Sequence, residues 1–351
     1  MIFKIVNIYF RTNFNSKHGI GHFVRVLNLV KKLKINYFCR IILDNNQIEN
    51  KFKNFNFNFN FDFLYKNNSN FRSEQEDAIN FCSKIKKNSI VIVDDYRLGF
   101  KWEKIVSQYT SKLVVICDDY TKKHYADILI NTKSTLNNPD NKILHILKNV
   151  NKNNCRFLLG HEYAFVEFLS KTPKQKKNFF VITFYNGGAG SLLVYLNLIK
   201  FIFKNKKLIN KFFLINVIVG PLSKNKKKVL KVFSKIKGVK VIIDKLDLSN
   251  ELSNTNLMIS SSGLMFYESS YYKIPTIFIK MTENQSIDNY SIQKFGQIIV
   301  LDKKDLAKTN KMGRLIIVLV NNYKRLKNYL SNPQFVIDDK GLSRIIKKIL
   351  E

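Results

Sequence analysis

Residues 1–33 read MIFKIVNIYF RTNFNSKHGI GHFVRVLNLV KKL, and three patterns follow one another along them. Residues 2–8 are a β-branched apolar run. Gly19-Ile20-Gly21 comes after it. From there Val24, Leu27, Val30 and Leu33 recur at three- and four-residue steps, the period of a helix with one apolar face. Strand, glycine turn and helix in that order open a parallel α/β sheet. The unit recurs. Short apolar runs lie at 90–93, 113–116, 128–130, 179–183, 212–219, 239–243, 257–260 and 276–279, spaced by helical patterns. Strands that are apolar at every position need cover on both faces. The expected class is therefore α/β with doubly wound parallel sheets.

A polar, proline-containing stretch at 170–178 (SKTPKQKKN) breaks the alternation, and a fresh strand begins at Phe179. It is the candidate linker. The predicted division is a first domain over 1–170, a second over 179–330 and a C-terminal helical stretch over 331–351, free to pack on either domain. Residues 55–63 alternate Phe with Asn or Asp and read as a strand with one aromatic face, to which no function attaches.

The length of 351 residues suits two domains at about 150 residues each. Apolar residues make up 45% of the chain and aromatics 13%, enough for real cores, which excludes a mainly disordered protein. The longest apolar run, around 201–203, is cut by Lys200 and Lys204 and falls short of the ~18 residues of a membrane span. No small-residue cleavage site follows the N-terminal strand, so no signal peptide is expected. Cys39, Cys82, Cys117 and Cys155 lack metal-type spacing and read as free thiols in a reducing compartment, which suggests the cytoplasm. The sequence leaves the oligomeric state open.

A formal net charge of +33 suggests an anionic partner. The chain has 50 lysines, only 9 arginines and 5 alanines. Lys, Asn, Ile, Phe and Tyr share A/T-rich codons, so the skew reads as a codon bias at tolerant surface positions. Base readout and phosphate forks favour arginine, whose scarcity argues against nucleic acid as the main partner. An anionic small substrate such as a sugar nucleotide remains well matched.

Six places carry candidate chemistry. At Gly19-Ile20-Gly21-His22, glycines let the backbone turn near a ligand, and the helix N-terminus behind them favours a phosphate or a developing anion. His22 there suits a general base, and Arg25 adds a cation three residues on. Asp94-Asp95-Tyr96 and Asp118-Asp119-Tyr120 follow strands directly. Carboxylates at such strand ends bind Mg²⁺, accept from sugar hydroxyls, orient a histidine or cap the next helix. His124 and Asp127 are candidates to support the same rim. Gly187-Gly188-Ala189-Gly190 after the strand at 179–183 has the form of a phosphate cradle, though no Lys-Ser/Thr follows as in a Walker loop. Ser260-Ser261-Ser262-Gly263 leaves room for a ligand, with Glu268 one helical turn on and suited to ribose hydroxyls. Glu283-Asn284-Gln285 follows the strand at 276–279 and offers amides to phosphate or sugar.

Taken in order, these motifs resemble the UDP-sugar hydrolase family of pseudaminic acid biosynthesis and its spore-coat-polysaccharide relatives. They resemble more distantly the glycosyltransferase that adds N-acetylglucosamine in peptidoglycan synthesis. The resemblance spans about residues 1–300. It implies a GT-B fold, two Rossmann-like domains facing a central cleft. It implies that His22 activates water at the anomeric carbon, with Gly19, Ile20 and Gly21 beside it. Ser262, Gly263 and Glu268 match the nucleotide-binding part, and Asn284 and Gln285 match a polar pair on the donor. Arg25, Asp94, Tyr96, Gly187 and Gly188 complete the expected substrate-binding set. The implied reaction releases UDP from UDP-2,4-diacetamido-2,4,6-trideoxy-β-L-altropyranose with inversion and needs no metal or cofactor. Two departures stand out. The family tends to have Gly-Gly-Ser-Asp where this chain has Gly187-Gly188-Ala189-Gly190. It often has arginine where this chain has Glu167. Transfer of the sugar to an acceptor is the alternative activity, and a basic non-catalytic binding module is the alternative class.

Overall fold

The computed structural model describes residues 6–13, 20–44, 59–65, 71–119, 121–133, 154–167, 179–223, 225–243, 245–282 and 289–351. The chain divides into two compact units, Met1–Glu167 with Asp339–Glu351, and Phe168–Asp338. The segment at 170–178 lies outside the described residues.

In the first unit seven strands form one parallel sheet. They are β1 (Asn7–Thr12), β2 (Phe38–Leu43), β3 (Asn60–Phe63), β4 (Ser89–Asp94), β5 (Thr110–Ile116), β6 (Ile128–Asn131) and β7 (Arg156–Leu159). Their order is β3-β2-β1-β4-β5-β6-β7. Helices α1 (Gly21–Leu33), α2 (Glu74–Cys82) and α3 (Phe100–Val106) connect them. Val91, Val93, Leu113 and Leu129 pack with Phe81 and Trp102 in one core. A side chain of that size contributes roughly 1.5–3 kcal/mol when fully buried. The aromatic alternation at 55–63 supplies the edge strand β3 at its C-terminal end. Its residues 55–58 lie outside the described set.

β1 runs four residues past the apolar run at 2–8. Arg11 is fully buried in it, which no apolar pattern foretells. Its Nε and Nη2 donate to Asp77 at 3.1 and 2.6 Å, and Nη2 also to Asp44 at 2.6 Å. Trp102 Nε1 and Tyr65 OH donate to the same Asp77 carboxylate at 2.8 and 3.0 Å. A charge enters a core only when paired and hydrogen-bonded in this way.

The second unit repeats the plan. Strands β8 (Phe180–Tyr185), β9 (Phe213–Ile218), β10 (Val239–Ile242), β11 (Leu257–Ser261), β12 (Thr276–Lys280) and β13 (Ile299–Asp302) form a parallel sheet ordered β10-β9-β8-β11-β12-β13. Helices α4 (Leu196–Lys204), α5 (Lys226–Phe233), α6 (Ser249–Ser253), α7 (Leu264–Tyr271), α8 (Asn289–Gln293), α9 (Thr309–Asn321) and α10 (Tyr323–Tyr329) belong to it. The last helix, α11 (Gly341–Leu350), returns to the first unit. Leu342, Ile345 and Ile349 are buried on its inner face, and Arg344 Nη1 donates to the carbonyl of Glu162 at 3.0 Å. The four cysteines are free thiols.

Strand order reverses at β1 in the first sheet and at β8 in the second. Open α/β sheets hold ligands beyond the carboxyl ends of the strands at such reversals. β1 and β4 end there in one unit, β8 and β11 in the other.

Candidate active site

α1 begins at Gly21, and Ile20 before it has no side-chain acceptor to cap the first turn. The positive end of the helix thus lies at the carboxyl-end side of β1 and β4, where His22 meets Asp94. Gly19 lies outside the described residues. His22 sits in that first turn and is 8% exposed.

His22 Nδ1 lies 2.5 Å from Asp94 Oδ1. A carboxylate only accepts, so the proton on this line belongs to Nδ1. Arg25 Nη2 is 2.9 Å from the same nitrogen, but it donates to Asp94 Oδ1 at 2.8 Å. In the neutral ring that leaves Nε2 with the lone pair, the tautomer a general base requires. Tyr96 closes the ring's other side, edge-on at 4.3 Å between centroids.

Arg25 does not point at open space. It is buried, with Nε donating to Asp94 Oδ2 at 2.8 Å and Nη1 to both oxygens of Asp118 at 3.0 and 3.1 Å. Its guanidinium thus clamps the ends of β4 and β5 together. Burial opposes its charge, but Asp118 and Asp94 hold it protonated. Burial also opposes ionisation of Asp118, and Arg25 and Lys133 overcome it, holding that carboxyl well below its usual range. Tyr96 OH donates to Asp118 at 2.6 Å, and burial with the Asp118 charge pushes the phenol well above its usual range. Tyr96 therefore stays a donor. Thr12 Oγ1, at the end of β1, donates to the Asp94 carbonyl at 3.0 Å.

His22, Arg25, Asp94, Tyr96 and Asp118 thus form one cluster. The second aspartate of each pair does not join it. Asp95 takes Arg97 at 2.5 Å, and Asp119 accepts from the amide and hydroxyl of Thr121. Asp94 and Asp118 are both engaged by Arg25. Among the described residues no group of three acids, histidines or cysteines is placed to hold a metal. His124 and Asp127 have partners outside this cluster. His124 Nδ1 lies 2.7 Å from Glu103, and Asp127, ahead of β6, accepts from the amide of Leu113 at 2.8 Å. Lys133 was not foreseen. Its signal is position alone, two residues beyond β6. Glu167, the departure from the family's arginine, pairs with Lys31 of α1 at 2.8 Å.

In the second unit the loops after β8, β9 and β11 meet. Leu222 donates its amide to the Gly188 carbonyl at 2.8 Å. A Cβ on Gly220 would lie 2.4 Å from the carbonyl oxygens of Gly187 and Gly188, so only glycine fits. Gly220-Pro221 was readable as a turn after the run at 212–219 but carried no functional signal. Gly190 folds onto Asn186, with 2.0 Å between its ideal Cβ position and the Asn186 carbonyl oxygen. An aspartate there, as in the family pattern, would not fit this turn. Gly187 packs over Ser261, and Ser262 and Gly263 lead into α7. Glu268 is half-buried on α7. Burial and the Asp247 carboxylate push it up to about 7. Tyr185 lies close enough to Glu268 to feel its charge. Asn284 and Gln285 lie outside the described residues.

A fold of two parallel-sheet α/β domains with these switch-point loops is the GT-B fold. Acinetobacter baumannii MurG superposes with a TM-score of 0.60 at 9% identity, over 98% of this chain and 99% of that one. S. aureus MnaA, in its co-structure with UDP, gives a TM-score of 0.62 at 11% identity, over 98% and 96%. In sequence, residues 195–339 match a family described as a protein of unknown function, DUF354. The chain is 22% identical to the UDP-2,4-diacetamido-2,4,6-trideoxy-beta-L-altropyranose hydrolase of Campylobacter jejuni over 282 residues, 80% of this chain and 93% of that protein.

Proposed function

We propose that this chain hydrolyses a UDP-linked deoxyamino sugar to the free sugar and UDP, in the cytoplasm and on the way to a surface nonulosonic acid of the pseudaminic type. The observation that carries the reading is the His22–Asp94 pair, locked by Arg25, which turns Nδ1 to the carboxylate and leaves Nε2 as the nitrogen available to act as base.

Water is a poor nucleophile at neutral pH, and a positioned base contributes about 10²–10⁴-fold. Nε2 takes the proton as the water oxygen bonds to the anomeric carbon. The carbon–oxygen bond to UDP breaks, and its electron pair leaves on the phosphate oxygen. A single displacement of this kind inverts the carbon. Asp94 stabilises the imidazolium that forms, as the acid of a triad does. No metal enters the scheme. The glycine loop at 187–190 and the start of α7 receive the diphosphate, and Glu268 accepts from the ribose hydroxyls. The 22% identity to a UDP-sugar hydrolase supports this donor class.

The test is incubation with a panel of UDP-sugars, scored for UDP and for free sugar without any acceptor. Equal amounts of both are expected from at least one 2,4-diacetamido donor. UDP that appears only when an acceptor is supplied would make the enzyme a transferase.

A further inference from the structure

Between Glu167 and Asp244 the sequence holds 17 lysines and no acidic residue, whereas 15 acids lie up to Glu167 and 11 from Asp244 onward. A codon bias acts on the whole chain alike. It does not empty one stretch of carboxylates. In the fold this stretch forms β8, β9 and the edge strand β10 with helices α4 and α5. A second acid-free stretch, 306–337, forms α9 and α10 beside it.

The amino ends of β8, β9 and β10 bring the apolar exceptions together. Phe212, just before β9, is 87% exposed, and Leu208 is 61% exposed. Phe179, just before β8, is 36% exposed. The amide of Phe180 donates to the Phe212 carbonyl at 2.7 Å, which sets the two turns side by side. Asn321 Nδ2 donates to the Leu208 carbonyl at 2.8 Å and ties in the end of α9, where Val318 is 55% exposed. Around them stand the exposed Lys204, Lys206, Lys207, Lys235 and Lys237. Single exposed apolar side chains need no explanation, but several on one rim within a field of lysines do. This rim is at the opposite end of the second sheet from the glycine loop and Glu268.

We propose that this rim docks the protein on an anionic lipid bilayer. Large apolar side chains entering the headgroup boundary, with lysines flanking them, are how peripheral proteins bind such surfaces. The cytoplasmic leaflet attracts such lysine clusters from within a Debye length. The lack of arginine and the aliphatic members of the rim favour a bilayer over nucleic acid. Residues 168–243 contain no arginine for phosphate forks, and Leu208 and Val318 stack on no base. With the rim on the bilayer, the second domain's glycine loop faces away from it. The proposal rests on the exposed rim and is independent of the hydrolase reading.

The test is cosedimentation of the full chain with phosphatidylcholine vesicles, with and without phosphatidylglycerol. Binding only to the anionic vesicles, weakening with salt, is expected. The double variant Leu208→Ser/Phe212→Ser and the triple variant Lys204→Glu/Lys206→Glu/Lys207→Glu should each weaken it about tenfold or more. All five side chains are exposed, and circular dichroism checks the fold. Phe212→Ser alone replaces any variant that fails that check. No binding to anionic vesicles, or binding unchanged in the folded variants, overturns the proposal. So does tighter binding to a nucleic-acid duplex through the same residues. A dimer that forms without vesicles and dissolves in the Leu208→Ser/Phe212→Ser variant would instead assign the rim to a second copy.

Discussion

Glu268 combines a half-buried carboxyl with a neighbouring carboxylate, Asp247, and sits near pH 7 as a result. Two ribose hydroxyls donating to it would favour the ionised form and lower its pKa on binding. Affinity for a UDP-sugar should then rise with pH and level off above about 7. If only the ionised form binds, the gain between pH 6 and pH 8 is about tenfold. Calorimetry at several pH values checks this, with Glu268→Gln expected to flatten the profile. A flat profile in the unaltered protein would remove Glu268 from the nucleotide site. At this scale the sequence displayed residue types but not their partners. Asp94 and Tyr96 were legible because they stand at the carboxyl end of a strand, and His22 because it follows a glycine turn into a helix. That Arg25 reaches both Asp94 and Asp118 was not, because those residues lie 69 and 93 positions away and nothing local encodes the pairing. Arg11 was missed for the opposite reason. A buried arginine in a strand looks like the strand's end until Asp77 is seen beside it.

The strands were the most legible elements, since fully buried β-branched runs have few other structural uses. Their helices followed from spacing. The destination of the C-terminal helix did not, because its amphipathic face fits any apolar groove. The structure answers through Gly341, the first residue of α11. An added Cβ there would lie 2.4 Å from the Ala164 carbonyl oxygen and 2.9 Å from the Ala164 nitrogen, both backbone atoms that cannot swing aside. Gly341→Ala should therefore push α11 off its seat and destabilise the first unit by about 1–3 kcal/mol, the usual cost of overpacking. Denaturant unfolding with a probe on Trp102, the single tryptophan and a core residue of that unit, reads the effect directly. An unchanged midpoint would mean that α11 contributes nothing to the first unit's stability.

As a whole molecule the chain repeats one design twice, a parallel sheet whose strand order reverses at its first strand, beside the candidate site loops. The glycine turns, strand-end carboxylates and alternation made that plan readable. The charge did not disclose its meaning as a total. A net +33 spread evenly would be a codon artefact, and the exposed lysines that stand beside Leu208 and Phe212 on one rim give it content. The central claim is that the first domain supplies a base through His22. The measurement is steady-state turnover of His22→Asn on the best UDP-sugar of the panel, beside calorimetric affinity for that sugar nucleotide. Asparagine keeps a donor for Asp94 but has no lone pair of imidazole basicity. Turnover should fall about a hundredfold or more with affinity little changed, because the loss belongs to the transition state. A folded His22→Asn protein that turns over at close to the unaltered rate would contradict the account.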